Sequence, residues 1–204
     1  MLDIVIATRN PHKFRELRGL FTLPGIRWHS LVEFPDLPDI DETGRTFDAN
    51  AVKKARAVAQ ATGTLALADD SGLEVEALRG APGVRSARFA GSHGNDRANN
   101  EKLLRLLRHV PTSRRGARYR CSLALASPSR LMTLTHGTWS GRIASVPTGH
   151  HGFGYDPIVL ILRFGKTVAQ LSPAIKQRLS HRARAARAMR RSLRAIVAAR
   201  RRRR

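Results

Sequence analysis

One cysteine, few aromatics and hardly any acid in the second half set the first limits on this chain of 204 residues. Cys121 stands alone, which excludes an internal disulfide and any multi-cysteine zinc site. It fits a reducing compartment. Aromatic residues make up 5% of the chain, which argues against a platform for stacking single-stranded bases. No apolar run approaches the roughly 18–20 residues of a membrane helix. A signal peptide is not expected either: Asp3 stands where its basic region would lie, and the apolar stretch from Leu2 to Ala7 is too short. These absences predict a soluble, cytoplasmic protein with no membrane partner. The phosphate-loop pattern Gly-x-x-x-x-Gly-Lys-Ser/Thr is missing too, so the chain is not a P-loop NTPase.

What is present is a folded protein with a lopsided charge. The apolar fraction of 42% and the length suit one domain or two small lobes sharing a core. The net charge is +22. Of the 15 acids, all but Asp156 lie at or before Glu101, and residues 176–204 hold 13 Lys/Arg and no acid. One reading is attraction to a polyanion: nucleic acid, a membrane surface or a phosphorylated small molecule. The other is compositional drift, because Arg outnumbers Lys 31 to 6. Both stay open at this level.

Periodicity predicts strands alternating with helices. Residues 2–7 read as a buried strand. Asn10 is a helix cap and Pro11 a first-turn residue, with Phe14, Leu17, Leu20 and Phe21 at helical spacing. Residues 26–31 read as a second strand and 33–45 as a loop. Thr46 caps a second helix that stops near Gly63. Residues 65–70 then form a strand that ends in two acids, with a hairpin partner expected at 73–78. A third helix is expected at 96–109, paired strands at 117–126 and 131–142, and a short strand at 158–162. Ser172-Pro173 and Ser180 each start a helix, and Arg200–Arg204 reads as a frayed, solvated tail. The fold class is α/β or α+β with a mixed sheet.

Four groups could do chemistry, and each has a plain structural alternative. Glu42, Asp69 and Asp70 are carboxylates near a helix start and a strand end. Neighbours on a strand face opposite ways, so one acid of the pair can join Glu42 around Mg²⁺, which favours one or two carboxylates plus water and phosphate oxygens. Alternatively, Asp70-Ser71-Gly72 is a polar turn. Lys13 lies in a first helical turn beside free N–H groups, a ready anion site, or is simply solvated. His181 and Arg182 follow the cap Ser180, where a cation opposes the helix dipole unless something negative is near. The loop Gly152-Phe153-Gly154-Tyr155-Asp156-Pro157 sets two aromatics and an acid between glycines, suited to a base or to plugging a connection. Together these are what a nucleoside triphosphate needs.

Five ordered segments carry a resemblance: ATRNPHKFREL (7–17), DETGRTFDANAVKKA (41–55), ADDSGLEVEALRGAPGVRSARFAG (68–91), GFGYDPI (152–158) and FGKTVAQLSPAIKQRLSHRARA (164–185). They resemble the inosine/xanthosine triphosphate pyrophosphatases. The resemblance implies an elongated, two-lobed α/β fold over residues 1–199 with a central substrate cleft, a basic tail at 200–204, and a homodimer. It implies Mg²⁺-dependent hydrolysis of ITP, dITP or XTP to the monophosphate and pyrophosphate. It assigns Thr8, Asn10, Lys13 and Lys54 to the phosphates and Ser71 to substrate. Glu42 and Asp70 go to the metal, with Asp70 also the base. Phe153, Gly154, Tyr155 and Asp156 frame base and sugar, and Lys176, His181 and Arg182 close the purine side. The chain departs from the pattern at Ala49, Gln170, Ala174-Ile175 and the stretch 148–151. Nucleic-acid binding through the basic end, or another nucleotide specificity, are the alternatives.

Overall fold

The first strand, β1 (Leu2–Ile6), buries Leu2, Ile4, Val5 and Ile6, so both of its faces need cover. Helix α1 (Pro11–Leu20) supplies some of it by packing Leu17 and Leu20 inward. The computed structural model describes residues 1–92 and 94–202. Strand β2 (Ile26–Ser30), helix α2 (Phe47–Thr62) and strand β3 (Leu65–Val75) follow. Next come α3 (Asp96–Leu106), β4 (Gly116–Ala126), β5 (Leu131–Ile143), β6 (Val159–Ile161), β7 (Lys166–Thr167), α4 (Pro173–Leu179) and α5 (His181–Arg202). The sheet has the order β2-β1-β3-β4-β5-β6-β7. It is mixed: β1 pairs in parallel with β2 and β3, while β6 is antiparallel to β5 and β7. The expected α/β class is thus observed.

The chain forms two compact units. One comprises residues 1–70, 121–137 and 182–204; the other comprises 71–120 and 138–181. In the first, Ile4, Ile6, Leu17, Phe21, Leu67, Leu123, Met189 and Leu193 share one core, and Val5, Ala51, Ala55, Val58 and Ala66 form another. In the second, Leu73, Val75, Leu103, Leu107, Trp139, Tyr155 and Ile158 pack together.

The caps read from sequence hold at α1 and α2. Asn10 Oδ1 accepts from the N–H groups of His12 and Lys13, and Thr46 accepts from Ala49 N. Gly63 closes α2 in the left-handed region, where a side chain would be strained. The Asn10 cap also corrects an expectation, because those first-turn N–H groups are already bonded rather than open to an anion.

Three further expectations fail. Strand β3 does not end at Asp70; it runs through Ser71 and Gly72 to Val75, so residues 73–75 continue the strand rather than pair back on it. The polar turn is therefore absent. Asp69 and Asp70 find charged or amide partners inside, so the strand need not stop to keep them wet. Residues 79–91, whose Gly- and Pro-rich sequence reads as a loop, contain a 3₁₀ turn, Gly83–Arg88. Helix α5 continues through Arg200 and Arg201 to Arg202, where basic residues complement the helix dipole. The rest of the proposed tail, residues 203–204, lies outside the described residues.

Candidate functional site

Parallel strands that connect in opposite directions leave a crevice beyond their carboxyl ends. Here β1 leads through α1 to β2 on one side, and α2 returns the chain to β3 on the other. Beyond the end of β1, Thr8 Oγ1 accepts from Asn10 N, and α1 begins. The pairing of β3 with β1 ends with Leu67 beside Ile6, so Asp69 and Asp70 lie past the end of β1.

The two acids then divide. Asp69 Oδ1 lies 3.1 Å from Lys13 Nζ, and Asp69 Oδ2 accepts from Arg182 Nε at 2.6 Å. Arg182 Nη1 also pairs with Glu16. Asp70 Oδ2 accepts from Asn50 Nδ2 at 3.1 Å, and its Oδ1 lies 3.4 Å from Lys54 Nζ. Lys54 Nζ donates to Glu42 Oε1 at 2.5 Å and to the Asp69 carbonyl at 2.8 Å. The strand alternation expected from sequence is thus expressed as two separate ion-pair sets. The acids near the start of α5 also turn Arg182 from a helix-dipole penalty into a paired charge.

Burial pushes the Asp70 carboxyl above its ordinary value, against the pull of Lys54 and Lys13. For Lys13, burial works to lower the ammonium, but Asp69, aided by Asp70 and Glu42, holds it above its usual range. Arg182 is likewise driven up despite burial, chiefly by Asp69 and Glu16. Among the named groups, four carboxylates (Glu16, Glu42, Asp69, Asp70) face three cations (Lys13, Lys54, Arg182). The Glu42 and Asp70 oxygens already converge on one small cation, the Lys54 ammonium. Among the described residues no three His, Cys, Asp or Glu side chains gather as a ready cage. Two hard carboxylates are nevertheless the complement that Mg²⁺ accepts when phosphates and waters complete its shell. The residues present fit that ion.

A second cluster lies within the other unit. Asp156 is buried, accepts from Lys176 Nζ at 2.6 Å, Tyr119 OH at 2.9 Å and Phe153 N at 3.0 Å, and has its carboxyl raised by burial in spite of Lys176. Lys176 Nζ also stands 4.4 Å from the Phe153 ring centroid, a cation–π contact. The His181 ring stacks on Tyr119 at 4.7 Å. Tyr155 OH donates to the Ser86 carbonyl, so this aromatic is embedded in the core. Gly152 has positive φ, and a Cβ there would collide with the Asp156 carboxylate. Ser71 is half-buried on β3. The Gln170 departure keeps an acceptor in place: its Oε1 takes the Thr167 N–H.

Five participants escaped the sequence reading. Buried Asn50 accepts from Gly44 N at 2.7 Å and donates to Asp70, tying the Glu42 loop to β3. The signal was available: Asn50 and Lys54 sit four apart beside the apolar residues of α2. Glu16 offered none, being one acid on an exposed-looking helix. Asp96 and Asn100, also four apart, hold both backbone groups of Gly154: Asp96 Oδ2 accepts its N–H at 2.6 Å and Asn100 Nδ2 donates to its carbonyl at 3.0 Å. Among the described residues the buried Asn100 Oδ1 has no hydrogen-bond partner. Tyr119, the fifth, looked like an ordinary strand aromatic.

The family model described as the Ham1 family matches residues 4–192. A dITP/XTP pyrophosphatase of Geobacillus kaustophilus is 50% identical over 185 residues, covering 91% of each chain. One from Rhodopirellula baltica is 48% identical over 188 residues, 92% of this chain and 90% of the relative. The structure of a HAM1 protein from Coxiella burnetii superposes with a TM-score of 0.86 at 41% identity, over 95% of this chain and 98% of that one.

Proposed function

This chain belongs to the Ham1 family, and from that premise we propose that it hydrolyses dITP, ITP and XTP to the monophosphate and pyrophosphate, with Mg²⁺ held by Glu42 and Asp70. The observation that carries the reading is the convergence of Lys13, Lys54, Glu42, Asp69 and Asp70 within one unit. When bound, Mg²⁺ neutralises phosphate charge and makes a coordinated water more acidic.

Lys13 and Lys54 bind the phosphate oxygens, with Thr8 and Asn10 beside them at the start of α1. A water oxygen attacks the α-phosphorus, the bond from that phosphorus to the bridging oxygen breaks, and pyrophosphate leaves with the electron pair. Asp70 accepts the water proton and, held beside Lys54, Glu42 and Asn50, directs that water toward the reacting phosphorus. Phe153 and Lys176 face base and sugar, with Asp156 anchoring Lys176 and the loop. His181 and Arg182 supply donors for a 6-oxo oxygen. An adenine would bring its amino group to donors and leave them unpaired, which is costly. Arg182 also holds Asp69 and Glu16.

Pyrophosphate release from ITP, dITP, XTP, ATP and GTP, with and without Mg²⁺, tests this. A preference of about 10²-fold or more in kcat/KM over ATP is expected from a site built to bond the 6-oxo group, and equal rates on all five would sink the reading. The family resemblance also supports a homodimer, for which light scattering should give twice the chain mass.

Asp96 and Asn100 are positioning residues in this scheme, because they fix Gly154 between Phe153 and Tyr155. Replacing Asp96 by Ala removes one hydrogen bond of about 1 kcal/mol from the loop. KM for ITP is expected to rise about fivefold while kcat moves less, since the loop meets the base and not the reacting phosphorus. Steady-state kinetics on ITP checks it.

A further inference from the structure

Helix α5 carries a feature that triphosphate hydrolysis does not use. Arg184, Arg187, Arg191 and Arg194 recur at helical spacing, all are exposed, and Arg201 continues the row two turns on. At ~1.5 Å per residue the row spans roughly 25 Å. Ala183, Ala185, Ala186, Met189 and Leu193 are buried in the core, so the helix is fixed with this face outward.

Charge segregation distinguishes this row from the other exposed arginines. Arg9 pairs with Asp39, Arg97 with Glu101 and Arg118 with Glu74. Among the described residues, Arg184, Arg191, Arg194 and Arg201 form no ion pair, and the sequence holds no acid after Asp156. Like charges three apart on a helix, as at Arg191 and Arg194, repel. The arrangement therefore costs the free protein something and is relieved by a polyanion.

We propose that this row binds the phosphate backbone of double-stranded nucleic acid without regard to sequence. A duplex carries about one charge per 1.7 Å of axis, so 25 Å of it offers ample phosphates for five guanidinium groups. A line of cations does not converge, so it does not make a pocket for a small phosphate. It carries no aromatic between residues 181 and 202 to stack an unpaired base. A basic helix that lies in a membrane surface inserts its apolar face, and the apolar face of α5 is buried in the core.

The test is fluorescence anisotropy of a labelled 20-base-pair DNA duplex with the full chain, from 50 to 200 mM KCl. With four or five phosphates engaged, log K should fall against log salt with a slope of about −4. The triple variant Arg184→Gln/Arg191→Gln/Arg194→Gln should flatten that slope to about −1 to −2 and weaken binding at 50 mM at least tenfold. A charge-matched variant elsewhere, Arg105→Gln/Arg114→Gln/Arg130→Gln, should bind within about threefold of the parent. Both variants should keep the parent's pyrophosphate release and thermal midpoint. The proposal is overturned if the charge-matched variant loses as much binding, if the duplex does not bind at 50 mM, or if phosphatidylserine vesicles bind more tightly than the duplex.

Discussion

Asp70→Asn is expected to lower kcat on ITP by about 10³-fold or more while the protein stays folded. The amide can neither accept the water proton, a role worth about 10²–10⁴ in rate, nor give a metal its negative oxygen. Stability should hardly change. Burial already disfavours the Asp70 charge, so neutralising it removes a cost as well as an ion pair. Lys54 keeps Glu42 as a partner, and Asn50 can still donate to the new amide oxygen. Pyrophosphate release and a circular-dichroism melt, read side by side, check the pair of expectations. Retention of more than about a tenth of the parent rate would remove Asp70 from the role of base, since that loss is below the range for general catalysis.

Asp69→Ala should do the opposite and act first on stability. Its carboxylate is fully buried between Lys13 and Arg182, and Arg182 is itself only 2% exposed. Removing one member of a buried pair leaves an uncompensated charge, at a cost of roughly 3–5 kcal/mol. For a chain of this size that is a fall in melting temperature on the order of 10 °C. Arg182→Ala should cost a similar amount, and the double variant less than the sum of the two, because the residues share one interaction. A thermal melt of all three variants measures the coupling. Additive losses would mean that Arg182 and Asp69 do not depend on each other.

Much of the fold was legible because local signals agreed with the final structure. Asn10-Pro11 and Thr46 marked helix starts by the hydrogen bonds their side chains can make, and buried runs such as residues 2–6 marked strands. The extent of β3 was not legible. Two acids followed by Ser-Gly look like a turn to any rule based on polarity, and only their distant partners Lys13, Lys54 and Arg182 make a buried strand affordable there. The candidate site divides the same way. Lys13, Glu42 and Asp70 carry charge at a helix start, a loop and a strand end, whereas Glu16, Asn50, Asp96 and Asn100 act through residues 20 to 166 positions away or through backbone groups. Apart from the four-residue spacing of Asn50 and Lys54, no spacing along the chain points to those contacts.

The unbroken course of β3 through Asp69 and Asp70 has a consequence for how this chain can change. Facing on a strand is a matter of parity: odd and even positions look opposite ways. Removing a single residue between Leu65 and Ala68 would exchange the two acids, sending one toward Asn50 and Lys54 and the other toward Lys13 and Arg182 with every later side chain reversed as well. Only changes of length by an even number leave the assignment intact, and those would still shift the acids along the strand. This short segment is therefore locked in length, while the loop before α2 is free to lengthen as long as Glu42 can still meet Lys54 and Gly44 can still meet Asn50.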